Sequence, residues 1–223
     1  MPQAHEPSHT DRRLPGRPAR LTRSQVVAAA RRIAAKDGLG RLSMRRLAVE
    51  LDVMPNALYT HFPDKAAILD AVLDDLLGDV EAPRSGGPWR DVLVSLMSSY
   101  RRLLLTQPGL APLTVSRPMI GPNAMRLRED MLTLLRQGTR DEANTVAAFL
   151  TLFAYTTGFV AFEAARTPGE HDASQRARAA RLYASLSEEE FPTSRALASR
   201  LAKRPGDAEF RSGLLGVIAG FAQ

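Results

Sequence analysis

Cysteine is absent from the 223 residues of the chain, which excludes a disulfide framework, a thiolate zinc site and a cysteine nucleophile. Histidine is scarce: there are four, with none between His61 and His171, and their spacing fits no metal-ligand pattern. No glycine-rich phosphate loop and no nucleophile motif occurs. The adjacent carboxylates Asp74 and Asp75, and Glu188 to Glu190, read as solvated helix faces. Neither catalysis nor a cofactor nor a metal site is expected from such a chain. Strand-like runs with period-two alternation are also missing, and no internal repeat appears, so the expected class is all-α. The first 20 residues lack the apolar stretch of a signal peptide, which gives the chain no reason to leave the cytoplasm.

What is present is a basic beginning and an apolar remainder. At 44% hydrophobic content the chain can bury a core, with room for a small N-terminal module and a larger helical domain. Residues 1–65 hold 12 Lys/Arg against 6 Asp/Glu, whereas residues 66–223 hold 18 against 18; the whole net charge of +6 lies in the first part. That asymmetry points to a polyanionic partner. The 20 residues from Ala143 to Phe162 carry no charge, about the length that crosses a bilayer. They include Asn144, Thr145, Thr151, Thr156 and Thr157, and are flanked by acidic Asp141, Glu142 and Glu163 rather than by basic residues. A helix buried on most sides of a soluble dimer is the expectation, with no membrane partner.

Between residues 21 and 65 the apolar positions recur at helical spacing: Val26, Ala30 and Ile33, then Met44, Leu47 and Leu51, then Leu58 and Phe62. Gly38 and Gly40 close the first helix, Ser43 is a good N-cap for the second, and Pro55 suits the first turn of the third. Three short amphipathic helices around one core, with a tight junction between the second and third, form a helix-turn-helix unit. Residues 1–20 read as a flexible basic arm. Its Arg12-Arg13-Leu14-Pro15-Gly16-Arg17-Pro18 contains a Gly-Arg-Pro similar to minor-groove hooks, which leaves either a solvated tail or an arginine placed in a narrow groove.

The segments Leu42-Ser43-Met44-Arg45-Arg46-Leu47-Ala48 and Ala57-Leu58-Tyr59-Thr60-His61-Phe62-Pro63-Asp64-Lys65 resemble the DNA-binding motif of the TetR family of bacterial transcriptional regulators. Two positions depart from that pattern: Asp52 stands where glycine is usual in the turn, and Met54 where a Ser or Thr cap is usual. The resemblance implies a helix-turn-helix domain over 21–66 and a helical regulatory and dimerisation domain over 67–223. It further implies that Arg45 contacts a base or phosphate, that Asn56 bonds a base edge, and that Pro55 and Ala57 present apolar surface to a thymine methyl. Tyr59, Thr60, His61 and Lys65 match positions that hold backbone phosphates. The alternative is that Tyr59 and His61 are packing groups and Arg45 a solvated charge. Trp89-Arg90-Asp91 and the stretch from Phe210 to Phe221 are similar to the tetracycline-repressor branch, in which histidines of the regulatory domain help to bind drug and magnesium. The missing histidines leave tetracycline–metal binding without support here.

Beyond residue 63, helices are expected at 64–80, from Trp89 to Pro108-Gly109, at 110–116 between that break and Pro118, and at 123–138, 141–166, 173–187, 193–203 and 207–221; Ala82 to Pro88 mark a boundary. Met97, Tyr100, Leu113, Met125, Phe153 and Thr157 are the candidate ligand contacts. Leu104, Met119, Leu132, Phe149 and Thr156 share their spacing, which suits an apolar pocket with few polar anchors. Phe210, Leu214, Val217 and Phe221 form a stripe. With Gly213, Gly216 and Gly220 allowing close approach and the 143–166 helix alongside, it would build a four-helix homodimer interface. The resulting expectation is a cytoplasmic homodimeric repressor that holds palindromic double-stranded operator DNA and is released by a small, largely apolar effector. Its rivals are a ligand-independent DNA-binding protein and an enzyme or membrane-bound sensor.

Overall fold

The computed structural model describes residues 21–81, 87–107, 109–164, 172–203 and 205–222. The arm at 1–20, most of the Ala82 to Pro88 boundary, Pro108 and His171 lie outside them. Among the described residues there are twelve α-helices, one 3-10 turn and no strand, only an isolated antiparallel bridge between Thr139 and Ala222.

Helix α1 (Arg23–Asp37) begins with a reciprocal cap. The Gln25 amide donates to the Thr22 hydroxyl oxygen at 3.2 Å, and the Thr22 amide donates to the Gln25 side chain at 2.8 Å. It ends at Gly38, whose φ of 82° is a left-handed value. A 3-10 turn, Leu39–Arg41, leads to α2 (Met44–Glu50), capped by Ser43. Asp52 then takes φ 52°, the only positive φ among the described non-glycine residues. The turn therefore keeps the left-handed conformation without glycine, as Asp tolerates better than most residues. Pro55 opens α3 (Pro55–Tyr59) behind Met54, which supplies no side-chain cap. Val26, Ala30, Ile33, Leu47, Leu58 and Phe62 are buried together with Ile68 of α4 (Lys65–Leu77), itself capped by Asp64.

The remaining eight helices make the second part. They are α5 (Trp89–Thr106), α6 (Leu110–Ser116), α7 (Pro122–Leu135), α8 (Glu142–Ala164), α9 (Asp172–Ala184), the pair α10 (Pro192–Ala196) and α11 (Ala198–Leu201), and α12 (Asp207–Phe221). The helix expected at 193–203 is thus two short ones that break at Leu197, where ψ is 7°. Only Ala198 is buried in that stretch, so no continuous apolar stripe holds one helix together.

Helix α8 is long and apolar enough to cross a membrane by composition, yet its inner face is a core surface. Ala148, Leu152, Thr156 and Val160 are buried against α5, α6, α7 and α12. The α12 stripe turns inward as well. Phe210 and Leu214 are buried within the protomer, Val217 and Phe221 pack at the edge of the same core, and Gly213 admits the Tyr155 ring of α8, which a Cβ would strike. The stripe expected to join the 143–166 helix in a four-helix dimer interface does meet that helix, and its Phe210 and Leu214 are already covered within the protomer. The buried Arg101 guanidinium ties α5 to both helices. It donates to the two Glu163 oxygens at 2.9 and 2.8 Å and to Asp207, and stands 4.9 Å from the Phe210 ring centroid.

Candidate nucleic-acid interface and effector cavity

The basic residues of the first four helices divide into two sets. Arg31 pairs with Asp75 at 2.8 Å and with Asp79, Arg32 with Glu50 at 3.1 Å, and Arg46 with Asp37. Arg23 lies 4.0 Å from the Phe62 ring centroid and donates to the His61 carbonyl at 3.0 Å, fixing the loop between α3 and α4. Arg45 and Lys65 make no such contact among the described residues and are exposed. Their charge is left for a partner.

Pro55, Asn56, Tyr59 and Thr60 are exposed along α3 and its end, while Ala57 and His61 are half-buried. The eight residues expected at the DNA therefore fall on α2, α3 and the first turn of α4, with at least part of each surface open. Thr60 differs from the rest, because its hydroxyl donates to the Ala57 carbonyl at 2.7 Å. A phosphate would have to draw that proton away. Val49 and Met54, neither of them expected at the DNA, are 77% and 78% exposed, leaving large apolar groups in water beside α3. No residue spacing distinguishes them from core positions.

A separate cavity of about 220 Å³ lies among α5, α6, α7 and α8. Its walls are Tyr100, Thr114, Arg117, Met119, Ala124, Leu127, Arg128, Met131, Phe149, Leu150 and Phe153. Of the six expected contacts, Tyr100 and Phe153 are in the wall. Met97 is fully buried elsewhere in the core, Leu113 packs against the core, Met125 is 48% exposed, and Thr157 is buried and donates to the Phe153 carbonyl at 2.9 Å. These four do not line the cavity. The wall also holds two arginines, Arg117 and Arg128, outside the expected set.

The Tyr100 and Phe153 rings stack at 5.8 Å, and Phe149 continues the row at 6.3 Å. Burial raises the Tyr100 pKa. Arg117 joins the cavity to the first part of the chain. It pairs with Asp70 of α4, which holds its pKa above the ordinary value, and donates to the Ala66 carbonyl at 2.9 Å. Beside it, Asp74 of α4 accepts the Ala124 amide at 2.9 Å, while Asn123 donates to the Asp74 carbonyl at 3.1 Å. Gly121 makes this approach possible, since a Cβ there would meet the Asp74 carboxylate.

Residues 26–72 match the model of bacterial regulatory proteins of the tetR family, and residues 82–223 match that of the tetracyclin repressor-like C-terminal domain. The chain is 34% identical to an HTH-type transcriptional regulator of Saccharopolyspora erythraea, over 91% of this chain and 85% of that protein. It is 30% identical to the class A tetracycline repressor from transposon 1721 in Escherichia coli, over 92% of both. Among solved structures, the Streptomyces coelicolor TetR family protein ActR in complex with actinorhodin superposes with a TM-score of 0.84 at 32% identity, covering 91% of this chain and 96% of that one. A basic helix-turn-helix unit with unpaired cations, a helical second part and two family models that together span most of the described residues lead to one conclusion: the chain belongs to the TetR family of helix-turn-helix transcriptional regulators and is not an enzyme.

Proposed function

We propose that the protein is a cytoplasmic homodimeric repressor that occupies a palindromic operator and leaves it when a small, largely apolar molecule enters the cavity among α5 to α8. The observation that carries this reading is Arg117, which is at once a wall of the cavity and a clasp on Asp70 and Ala66 of α4. Arg117 directly follows α6, and α4 directly follows the α3 reading helix. A ligand that moves the end of α6 thereby shifts the support of the reading head. Release requires unequal ligand affinity for the DNA-competent and incompetent arrangements, and typical couplings of about 1–3 kcal/mol suffice for a clear response.

Asn56 reads a base edge, Arg45 a guanine or a phosphate, and Pro55 and Ala57 a thymine methyl. Tyr59, Thr60, His61 and Lys65 hold phosphates that fix the register. Pairing of two protomers is supported by the outward faces of α8 and α12. Val146, Leu150, Ala154 and Gly158 on one, with Leu215, Gly216 and Ala219 on the other, form an exposed face of uncharged, mostly small residues. Two reading heads related by a two-fold axis demand a palindrome. The repressor names among the relatives and the ligand held by ActR support repression and an effector.

The test is fluorescence anisotropy on DNA from upstream of the protein's own gene, with and without candidate small molecules. Two protomers per palindrome and loss of binding on adding a compound that also binds the free protein are expected. A compound that binds equally well with operator present and absent rules out release by this route and leaves a constitutive DNA-binding protein.

A further inference from the structure

The cavity wall carries a charge that no described carboxylate neutralises. Arg128 is half-buried on α7; one guanidinium nitrogen donates to the Met119 carbonyl at 3.1 Å and another lies 3.1 Å from the Met125 sulfur. Both partners are neutral, and no carboxylate among the described residues lies within ion-pair distance of it. Arg117, the other cation in the wall, is already matched by Asp70. Water can solvate Arg128 while the cavity is empty. An occupant that displaces that water must bring an acceptor, and a charged acceptor compensates a guanidinium far better than a neutral one.

A second polar group is left open. The Tyr100 hydroxyl is buried and makes no hydrogen bond, although its ring is part of the wall. The neighbouring Thr114 and Thr157 hydroxyls donate to the Ala111 and Phe153 carbonyls at 2.8 and 2.9 Å, so their protons are spent on the backbone. Unsatisfied buried hydroxyls are uncommon and call for an occupant that completes them. Between these polar points runs the row Tyr100, Phe153 and Phe149, with interplanar angles of 22° and 24°. Stacked rings turn their faces to one another, so the row offers an apolar wall of ring edges, which suits edge-to-face contact with a planar ring.

We propose that the cavity takes a planar aromatic acid: its carboxylate pairs with Arg128, its ring lies along the Tyr100–Phe153–Phe149 row, and a further oxygen accepts from the Tyr100 hydroxyl. This rests on the cavity being the effector site and adds the class of effector. Neutral aromatic molecules of the same shape bind more weakly, because they leave the guanidinium facing an uncharged group.

Naphthoate and naphthamide share a ring system and differ in charge, which makes them suitable probes for titration calorimetry with the full chain in the absence of DNA. Naphthoate is expected to bind about tenfold or more tightly than naphthamide, the margin of one charge-assisted hydrogen-bonded pair over a neutral one. Arg128→Gln should abolish that preference while leaving naphthamide affinity within about twofold, and Arg128→Lys should keep part of it, since a point charge replaces a planar fork. Equal binding of the two probes, binding of neither, or an equal loss of both in Arg128→Gln overturns the proposal. Operator release is read separately by anisotropy. A charge preference without any effect on operator binding leaves the aromatic-acid class standing and removes the ligand-released repressor. Release by naphthamide as effective as by naphthoate removes the class alone.

Discussion

Replacing Lys65 with alanine is expected to change how steeply operator binding depends on salt, more than which sequence is bound. Lys65 opens α4, is exposed and has no partner within the chain among the described residues. Its ammonium can therefore meet a phosphate without first giving up an ion pair. Each phosphate neutralised on duplex DNA contributes about 0.9 to the slope of log affinity against log salt, and a dimer presents Lys65 twice, so the slope should flatten by about 1.8. Over a fourfold rise in salt, the wild-type protein should then lose about tenfold more affinity than the variant. Arg32→Ala is the matched control: it removes the same formal charge from α1, but that charge already faces Glu50 at 3.1 Å. Its effect on the slope should be less than half as large. Anisotropy titrations of the operator and of an unrelated duplex at several salt concentrations supply both slopes. A Lys65→Ala protein that binds more weakly with an unchanged slope, or an Arg32→Ala protein whose slope falls as far, refutes the division of these cations into free and committed sets.

Asn56→Ala should narrow the gap between operator and unrelated DNA by about 1–3 kcal/mol, the worth of one good base-edge contact, with little change in salt slope; a gap that stays constant in competition gel shifts excludes Asn56 as a reading residue. Arg101→Leu breaks the pairs that the buried guanidinium makes with Glu163 and Asp207, so urea denaturation should show a loss of about 3–5 kcal/mol. Tyr100→Phe removes a buried hydroxyl that has no partner and should stabilise the ligand-free protein by about 1 kcal/mol at neutral pH. Burial raises the Tyr100 pKa, so its titration leaves wild-type stability unchanged below the ordinary tyrosine value of about 10 and lowers it as pH climbs from there through the folded value; Tyr100→Phe melts should lack that alkaline decline. Arg117→Met should bind both operator and effector yet reduce the factor by which each weakens the other, about fivefold for each 1 kcal/mol of coupling the clasp carries; an unchanged factor shows that α4 is informed by another route.

The helix-turn-helix unit was legible because its signals are local. Caps, glycines and apolar spacing lie within one turn of the features they determine, and Asp52 and Met54 stand out as departures whose outcome the backbone angles display. The cavity was only half legible. Helical spacing shows that Met97, Tyr100 and Phe153 belong to apolar faces, but α5 packs on several neighbours at once, and only the three-dimensional arrangement decides that Tyr100 meets a void while Met97 meets solid core. Arg117 and Arg128 look like ordinary surface arginines in sequence, since the rings they accompany come from helices distant in the chain. Arg101 is a stronger case, with partners 62 and 106 residues away. Leu214 is a related case, since a stripe on α12 does not announce which helix covers it.

The Asp74 carboxylate has one further consequence. By accepting the Ala124 amide it serves as the N-cap of α7, a role normally filled from within the same helix, here supplied from α4. The first turn of α7 is therefore only as well ordered as α4 is well placed, and each element reports on the position of the other. If α4 swings, the opening turn of α7 loses its acceptor and frays, taking with it the stretch that leads to Leu127 and Arg128. Amide exchange at Ala124 would then act as a gauge of the angle between reading head and regulatory domain, readable without DNA or effector bound, and Asp74→Ala would set that gauge permanently to its open reading.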